Sequence, residues 1–212
     1  MAEAADYATR AKELGKEKER TDADVTPVSR LGLRDGGIAL AALSLWAASD
    51  AWHTATGLAA ASLLSVLDGL AAGYVINLLA HEWGHFAGAR WFGGIAPTTP
   101  RITRLFPIFR LDLQRSPVRA FQAMSVAGNL AHWAAVLLLF TWVPLNSPGR
   151  LALACSAFAF AFGASVTELP VIRRSFAGAS PIESFKGISR ATLRRDRWIG
   201  IAAGALLFAS LS

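Results

Sequence analysis

The stretch Asn77-Leu78-Leu79-Ala80-His81-Glu82-Trp83-Gly84-His85-Phe86-Ala87-Gly88-Ala89-Arg90 decides how the chain is read. It sets His-Glu-x-x-His inside an apolar segment. On a helix, residues four apart share a face, so His81 and His85 present two imidazoles to one point. Imidazole nitrogen suits zinc, which in catalytic sites takes three protein ligands and leaves a fourth position open. Glu82, next in line, is placed to take a proton from water and deliver it to a leaving amine. The same pattern arises by chance on amphipathic helices of soluble proteins. Here its surroundings are apolar, and ionisable side chains at membrane depth are costly enough to mark function by default.

The rest of the composition agrees with a bilayer setting. Of 212 residues, 53% are hydrophobic and 17% charged, and the mean hydropathy is +0.38. The apolar residues fall in long runs, as membrane crossing requires, and the length fits one domain. A net charge of +6 raises nucleic acid as a partner. The basic residues, however, lie in loops between apolar runs, where they set membrane orientation, and no aromatic–basic interleaving accompanies them. Nucleic-acid binding is therefore excluded. Cys155 is the only cysteine, so no internal disulfide forms; in its apolar run it reads as a small packing residue.

Working outward, residues 1–34 read as a charged cytoplasmic leader, helical or disordered, with the mixed-sign run Lys12 to Arg20 able to engage a separate partner. It is too polar and too long for the front of a signal peptide. Residues 35–212 read as a membrane-embedded domain with its core at about 70–180. Residues 36–66 are expected to make one crossing with a break or re-entrant piece near Asp50, His53 being interfacial beside Trp46 and Trp52. Asp68-Gly69 is expected to make an outer turn, and residues 70–92 the metal helix, stopped by Gly93-Gly94. Counted back from Arg90, His85 and His81 lie roughly 8 and 14 Å inside the helix edge.

Pro97, Pro100, Pro107 and Pro117 forbid a long helix over 95–118. The alternation Arg110-Leu111-Asp112-Leu113-Gln114 predicts a strand there, with Asp112 on its solvated side. Helices are expected over 119–143 and 151–172, joined by a turn at 144–149. A basic stretch over 173–197 precedes a short apolar helix from Trp198 to Leu211. The fold class is thus an all-α polytopic membrane protein with a small β element in the loop after the metal helix. Arg30, Arg34 and the arginine-rich loop put the N-terminus in the cytoplasm.

Three blocks in this order resemble the site-2 protease family of intramembrane zinc metalloproteases. The first is His81-Glu82-Trp83-Gly84-His85 with the following Phe86-Ala87-Gly88-Ala89-Arg90 and Phe92-Gly93. The second is the proline-bearing, strand-forming loop around Leu105-Phe106-Pro107-Ile108. The third is Ser125-Val126-Ala127-Gly128-Asn129-Leu130-Ala131-His132, similar to the family's Ala-Gly-Pro-x-x-Asn helix but with Asn129 in place of Pro and His132 in place of Asn. The resemblance covers about residues 70–180. It implies a site-2-protease-like core, a Zn2+ cofactor, the lipid bilayer as surroundings, a membrane-anchored protein as substrate, and residence in the bacterial inner membrane or its equivalent. It also implies a third ligand, an Asp before Gly, where this chain has Ala177-Gly178.

Glu168 is the candidate for that vacant role. It is the one carboxylate in its helix, and counted from Arg173 it lies roughly 8 Å inside the edge, level with His85. His2Glu is an established catalytic zinc set. The alternative for Glu168 is an interfacial pair with Arg173 or Arg174. His132 is the second candidate ligand, though counting from Arg119 sets it about 20 Å deep. For His132 and Asn129 the preferred role is donation to the scissile carbonyl as negative charge develops; the alternative is an interhelical hydrogen bond. Gly84 reads as a close-packing position, and Asn77 as either a ligand-orienting or a packing residue. The function expected is an intramembrane zinc endopeptidase that cuts a membrane-spanning segment near its cytoplasmic side, the loop at 101–115 holding the unwound piece by edge pairing. The alternative, motivated by Ala177, is a non-proteolytic relative that binds membrane helices or a metal without turnover. A transport role finds no broken helix pair or repeated half to support it.

Overall fold

The computed structural model describes residues 25–100, 102 and 107–212. Most of the predicted leader and the Leu105-Phe106 part of the loop lie outside the described residues. The described chain is helical: α1 Val28–Thr56, α2 Ala59–Trp91, α3 Val118–Trp142, α4 Pro148–Phe176, the single turn α5 Pro181–Ser184, and α6 Arg190–Leu211. The first four long helices, α1 to α4, are each long and apolar enough to cross a membrane. Their outer faces carry large apolar side chains, Leu40, Leu130 and Leu137 among them, each about two-thirds exposed, while Asp50, Asn77, His132 and Ser165 are buried. Polar inside and apolar outside is the distribution a lipid environment accepts.

Two expected breaks are not there. Asp50 does not interrupt α1, and Asp68-Gly69 is not a turn but lies within α2. The real break is Gly57, whose φ of 65° gives α1 a left-handed cap with its N–H bonded to the His53 carbonyl at 2.8 Å; Leu58 is extended and α2 starts at once. Only glycine takes that backbone conformation without strain. Gly69 is there for contact instead of turning. A Cβ on Gly69 would strike the Gly149 carbonyl, and one on Gly73 the Leu153 carbonyl. Ser65, Gly69 and Gly73, four apart, form the small-residue stripe that lets α4 lie against α2. Gly84 and Gly88 do the same for α3, an added Cβ on Gly84 coming within 2.6 Å of the Ala127 carbonyl. The 33-residue α2 is consequently the centre of the molecule, packed on α1, α3 and α4, with α6 packed on α4.

Asp50 stays helical because its charge is satisfied. Its Oδ2 accepts from Arg150 Nε at 2.8 Å and its Oδ1 from Ser65 Oγ at 3.0 Å and Ser147 Oγ at 2.5 Å. Ser147 also caps α4 by accepting from the Arg150 N–H. This cluster ties the α1–α2 corner to the start of α4. Asp50→Ala leaves three donors without their acceptor, and we expect a loss of about 2–3 kcal/mol, discounted for the partial exposure of Arg150. Thermal unfolding in detergent checks it, with metal content unchanged because the cluster lies at the end of the helices remote from His81.

The segment after α2 is a ribbon, not a sheet. Thr99 N–H donates to Ile108 O, Arg110 N–H to Pro97 O and Asp112 N–H to Ile95 O, at 2.9, 3.0 and 2.9 Å. They yield one antiparallel bridge, Thr98 with Phe109, and no strand among the described residues. The strand expected over 110–114 is replaced by a turn, because the Asp112 carboxylate accepts from the amides of Gln114 and Arg115, an Asx turn that alternation alone does not reveal. Ala96, Ile108 and Phe109 of the ribbon bury against Ala89, Trp83 and Phe86 of α2. Thr26 closes the ribbon's other edge, its N–H donating to Thr99 O. On the far end of the chain, Pro170 sits within α4 without ending it, and α6 begins at Arg190, eight residues before the apolar run.

Candidate metal centre

Three helices converge at the level of His81. His81 and His85 sit one turn apart on α2, and their Nε2 atoms lie 3.0 Å from each other. Glu168 comes in from α4, its Oε1 3.1 Å from both. These are the atoms through which the three residues would hold one ion. The alternative for Glu168, an interfacial pair with Arg173 or Arg174, is not made; Arg174 instead bonds the Ser184 carbonyl.

What the three atoms carry follows from their outer partners. His85 Nδ1 faces the Met124 carbonyl at 2.8 Å. A carbonyl only accepts, so His85 holds its proton on Nδ1 and leaves a lone pair on Nε2. For His81 the deduction is longer. Ser165 Oγ donates to Asn129 Oδ1 at 3.1 Å and receives Trp133 Nε1 at 2.9 Å. Its hydrogen being spent, Ser165 accepts from His132 Nε2 at 3.2 Å. His132 therefore offers a lone pair at Nδ1, and His81 Nδ1, 3.0 Å away, is the donor. His81 Nε2 is left with a lone pair as well. Asn129 Nδ2 completes the set by donating to Glu168 Oε2 at 2.5 Å. Each of the three inner residues is thus oriented by a partner behind it, as metal ligands are.

With both imidazoles neutral, two nitrogen lone pairs and one carboxylate oxygen meet at one point. A shared proton or a metal cation joins such a set. Tetrahedral zinc at bond lengths of about 2.0–2.1 Å separates its ligand atoms by about 3.3 Å, a few tenths of an ångström from the spacing here. The donor set fits a divalent ion.

His132 is fully buried and Asn129 is 8% exposed. They stand behind His81 and Glu168, with their hydrogen-bonding atoms engaged there, and neither lines the cavity on the other side of the cluster, so the expected donation to a scissile carbonyl has no support in this placement. Glu82 is on that side: it lines the cavity with His81 and Glu168 and reaches the backbone amide of Ile108 in the ribbon. Ala177, the position to which the resemblance assigns a ligand, is at the C-cap of α4, nine residues and about 13 Å beyond Glu168. Asn77 makes a packing bond, Nδ2 to the Ala157 carbonyl at 2.6 Å, and takes no part in orienting the histidines.

Three participants had no role in the sequence reading. Ser165 links His132 to Asn129. The Met124 carbonyl fixes His85. Gly128 makes room, since a Cβ there would run into the His85 ring. Gly128 shares a face with Ser125, Asn129 and His132 at helical spacing, which is the one signal the sequence held for it. Trp83, between the histidines, is pinned from α1 by Asp35, its Nε1 donating to Oδ2 at 2.9 Å, with Arg34 paired to the same carboxylate at 2.6 Å. Compared with known proteins, the chain matches no family model, no curated protein and no solved structure.

Proposed function

We propose that the chain is an intramembrane zinc endopeptidase, with His81, His85 and Glu168 as ligands and Glu82 as the general base. The observation that carries this reading is the convergence of His81 Nε2, His85 Nε2 and Glu168 Oε1 on one point beside the Glu82 carboxylate. The order of the His81–His85, ribbon and Asn129–His132 blocks, similar to site-2 proteases, supports it, and so do the four apolar helices. Bound there, zinc would supply a Lewis acid and a source of nucleophile at neutral pH. Glu82 takes the proton from water and passes it to the amine that leaves. Asn129 and His132 hold Glu168 and His81 in place. In this reading the substrate is a membrane-anchored protein, and its spanning helix unwinds locally next to the ribbon, whose Ile108 amide borders Glu82. Because Thr26 occupies the Thr99 edge, pairing with an unwound segment falls to the 108–112 side. The N-terminus lies in the cytoplasm, and the membrane is the bacterial inner membrane or its equivalent.

The test is zinc content measured together with cleavage of a single-span reporter. Wild type and Glu82→Gln should both hold about one zinc, and the variant should cleave about 10²- to 10⁴-fold more slowly. Cleavage by Glu82→Gln at the wild-type rate would remove Glu82 from the mechanism. Zinc-loaded wild type that cuts nothing in a broad panel of helices would favour the non-proteolytic relative.

A further inference from the structure

A cavity of about 840 Å³ lies between α2, α4 and α6, with His81, Glu82 and Glu168 among the residues that line it. Its walls are apolar: Leu70, Tyr74 and Leu78 from α2, Phe160 from α4, Ile201 and Phe208 from α6. The α2 wall runs from Val66 to Glu82, about 24 Å of helix. One arginine is among its lining residues, Arg197 of α6.

Arg197 is exposed and lies on the apolar cavity. Its Cα stands 3.6 Å from where a Cβ on Gly163 would be, and Gly163 is five residues before Glu168. The Arg197 backbone therefore lies about 7.5 Å further along α4 from the basic Arg173–Arg174 end than Glu168 does. Helical side chains lean toward the N-terminus of their own helix. Since α6 runs antiparallel to α4, this carries the guanidinium back toward the level of Glu168. The nearest acid in sequence, Asp196, is buried and already engaged, by Arg195 at 2.8 Å and by Thr167 Oγ1 at 3.0 Å. Arg197 itself has no hydrogen bond or ion pair among the described residues. An unpaired guanidinium beside apolar walls is an anion-seeking group.

We infer that this cleft is the substrate-binding site and that Arg197 selects, within an otherwise apolar spanning segment, an Asp or Glu side chain. A guanidinium presents a planar fork of donors that a carboxylate fills with two bonds. The apolar walls take the flanking residues. The identity of the occupant rests on the endopeptidase reading; the charge preference of the cleft does not.

The experiment uses the full chain in nanodiscs of zwitterionic lipid and fluorescent single-span peptides that differ at one position, Glu, Gln or Lys, near the cytoplasmic end. Binding and cleavage are read in the same samples. Wild type should bind the Glu peptide roughly ten- to a hundredfold more tightly than the Gln peptide. Arg197→Gln, verified as folded by retained zinc, should bind the two alike, and Arg197→Glu should prefer the Lys peptide. Equal affinity of wild type for all three overturns the inference without any variant being needed. Loss of the preference on adding anionic lipid would assign Arg197 to headgroups and overturn it too. A charge preference without cleavage would leave the site standing and remove the protease; cleavage without a charge preference would do the reverse.

Discussion

Glu168→Ala should strip the protein of its metal. Wild type is expected to retain about one zinc per chain through purification, and the variant close to none, a loss in affinity of more than about a hundredfold. The scale comes from comparison with the residues behind the ligands. Removing an outer partner of a metal ligand typically costs 10- to 100-fold, so His132→Ala and Asn129→Ala should fall in that interval and keep measurable zinc. Glu168 contributes the donor atom itself, Oε1 at 3.1 Å from both histidine nitrogens, and no other carboxylate belongs to the donor cluster among the described residues. Equilibrium dialysis against a zinc buffer series ranks the three variants. Wild-type affinity in Glu168→Ala would end its assignment as a ligand, and a larger loss in His132→Ala than in Glu168→Ala would exchange their roles.

Gly128→Ala should do comparable damage from the opposite helix. The added methyl group has nowhere to go, because the atoms it meets are those of the His85 imidazole. His85 has to rotate off the Met124 carbonyl, or α3 has to move away from α2, where Gly84 and Gly88 already keep the two backbones close. Overpacking of this kind costs about 1–3 kcal/mol, and here the strain falls on a ligand. The expected result is a helical protein by circular dichroism, lower in melting temperature, with zinc affinity reduced at least tenfold. A cobalt-loaded sample gives a second readout, since displaced His85 alters the visible absorption of the ion. Normal metal binding by Gly128→Ala would mean that α3 gives way more easily than the packing indicates.

The two predictions together mark how far the sequence could be read. The pairing of His81 with His85 needed only helical periodicity. Bringing Glu168 to them needed a depth count from Arg173, and that count works because straight helices in a bilayer share a common ruler. What periodicity could not give was the side of the pair on which a neighbour stands. The depth count set His132 deeper than the pair and favoured for it a role in donating to the scissile carbonyl; in the structure it is stacked on His81, with ring centroids 5.1 Å apart, and is not among the residues that line the cleft. Asp50 and Asp68-Gly69 misled for a related reason. A charge or an Asp-Gly step signals a break when water is the alternative partner. Here Arg150, Ser65 and Ser147 supply the charge's partners, and α4 fills the space over Gly69, so the helices continue. In the 110–114 segment a local bond won over alternation: one carboxylate collecting two amides turned an expected strand into a corner.

The relay behind the histidines has a direction. From His81 through His132, Ser165 and Asn129 to Glu168, each group gives a hydrogen to the next, and the penultimate member is an amide, which has no proton to lose at any ordinary pH. Such a circuit cannot be reversed or used as a wire. It works as a ratchet with its pawl down, keeping both rings in a single tautomer. On the proposed endopeptidase reading, proton traffic would be confined to the open face of the site, where Glu82 lines the cavity.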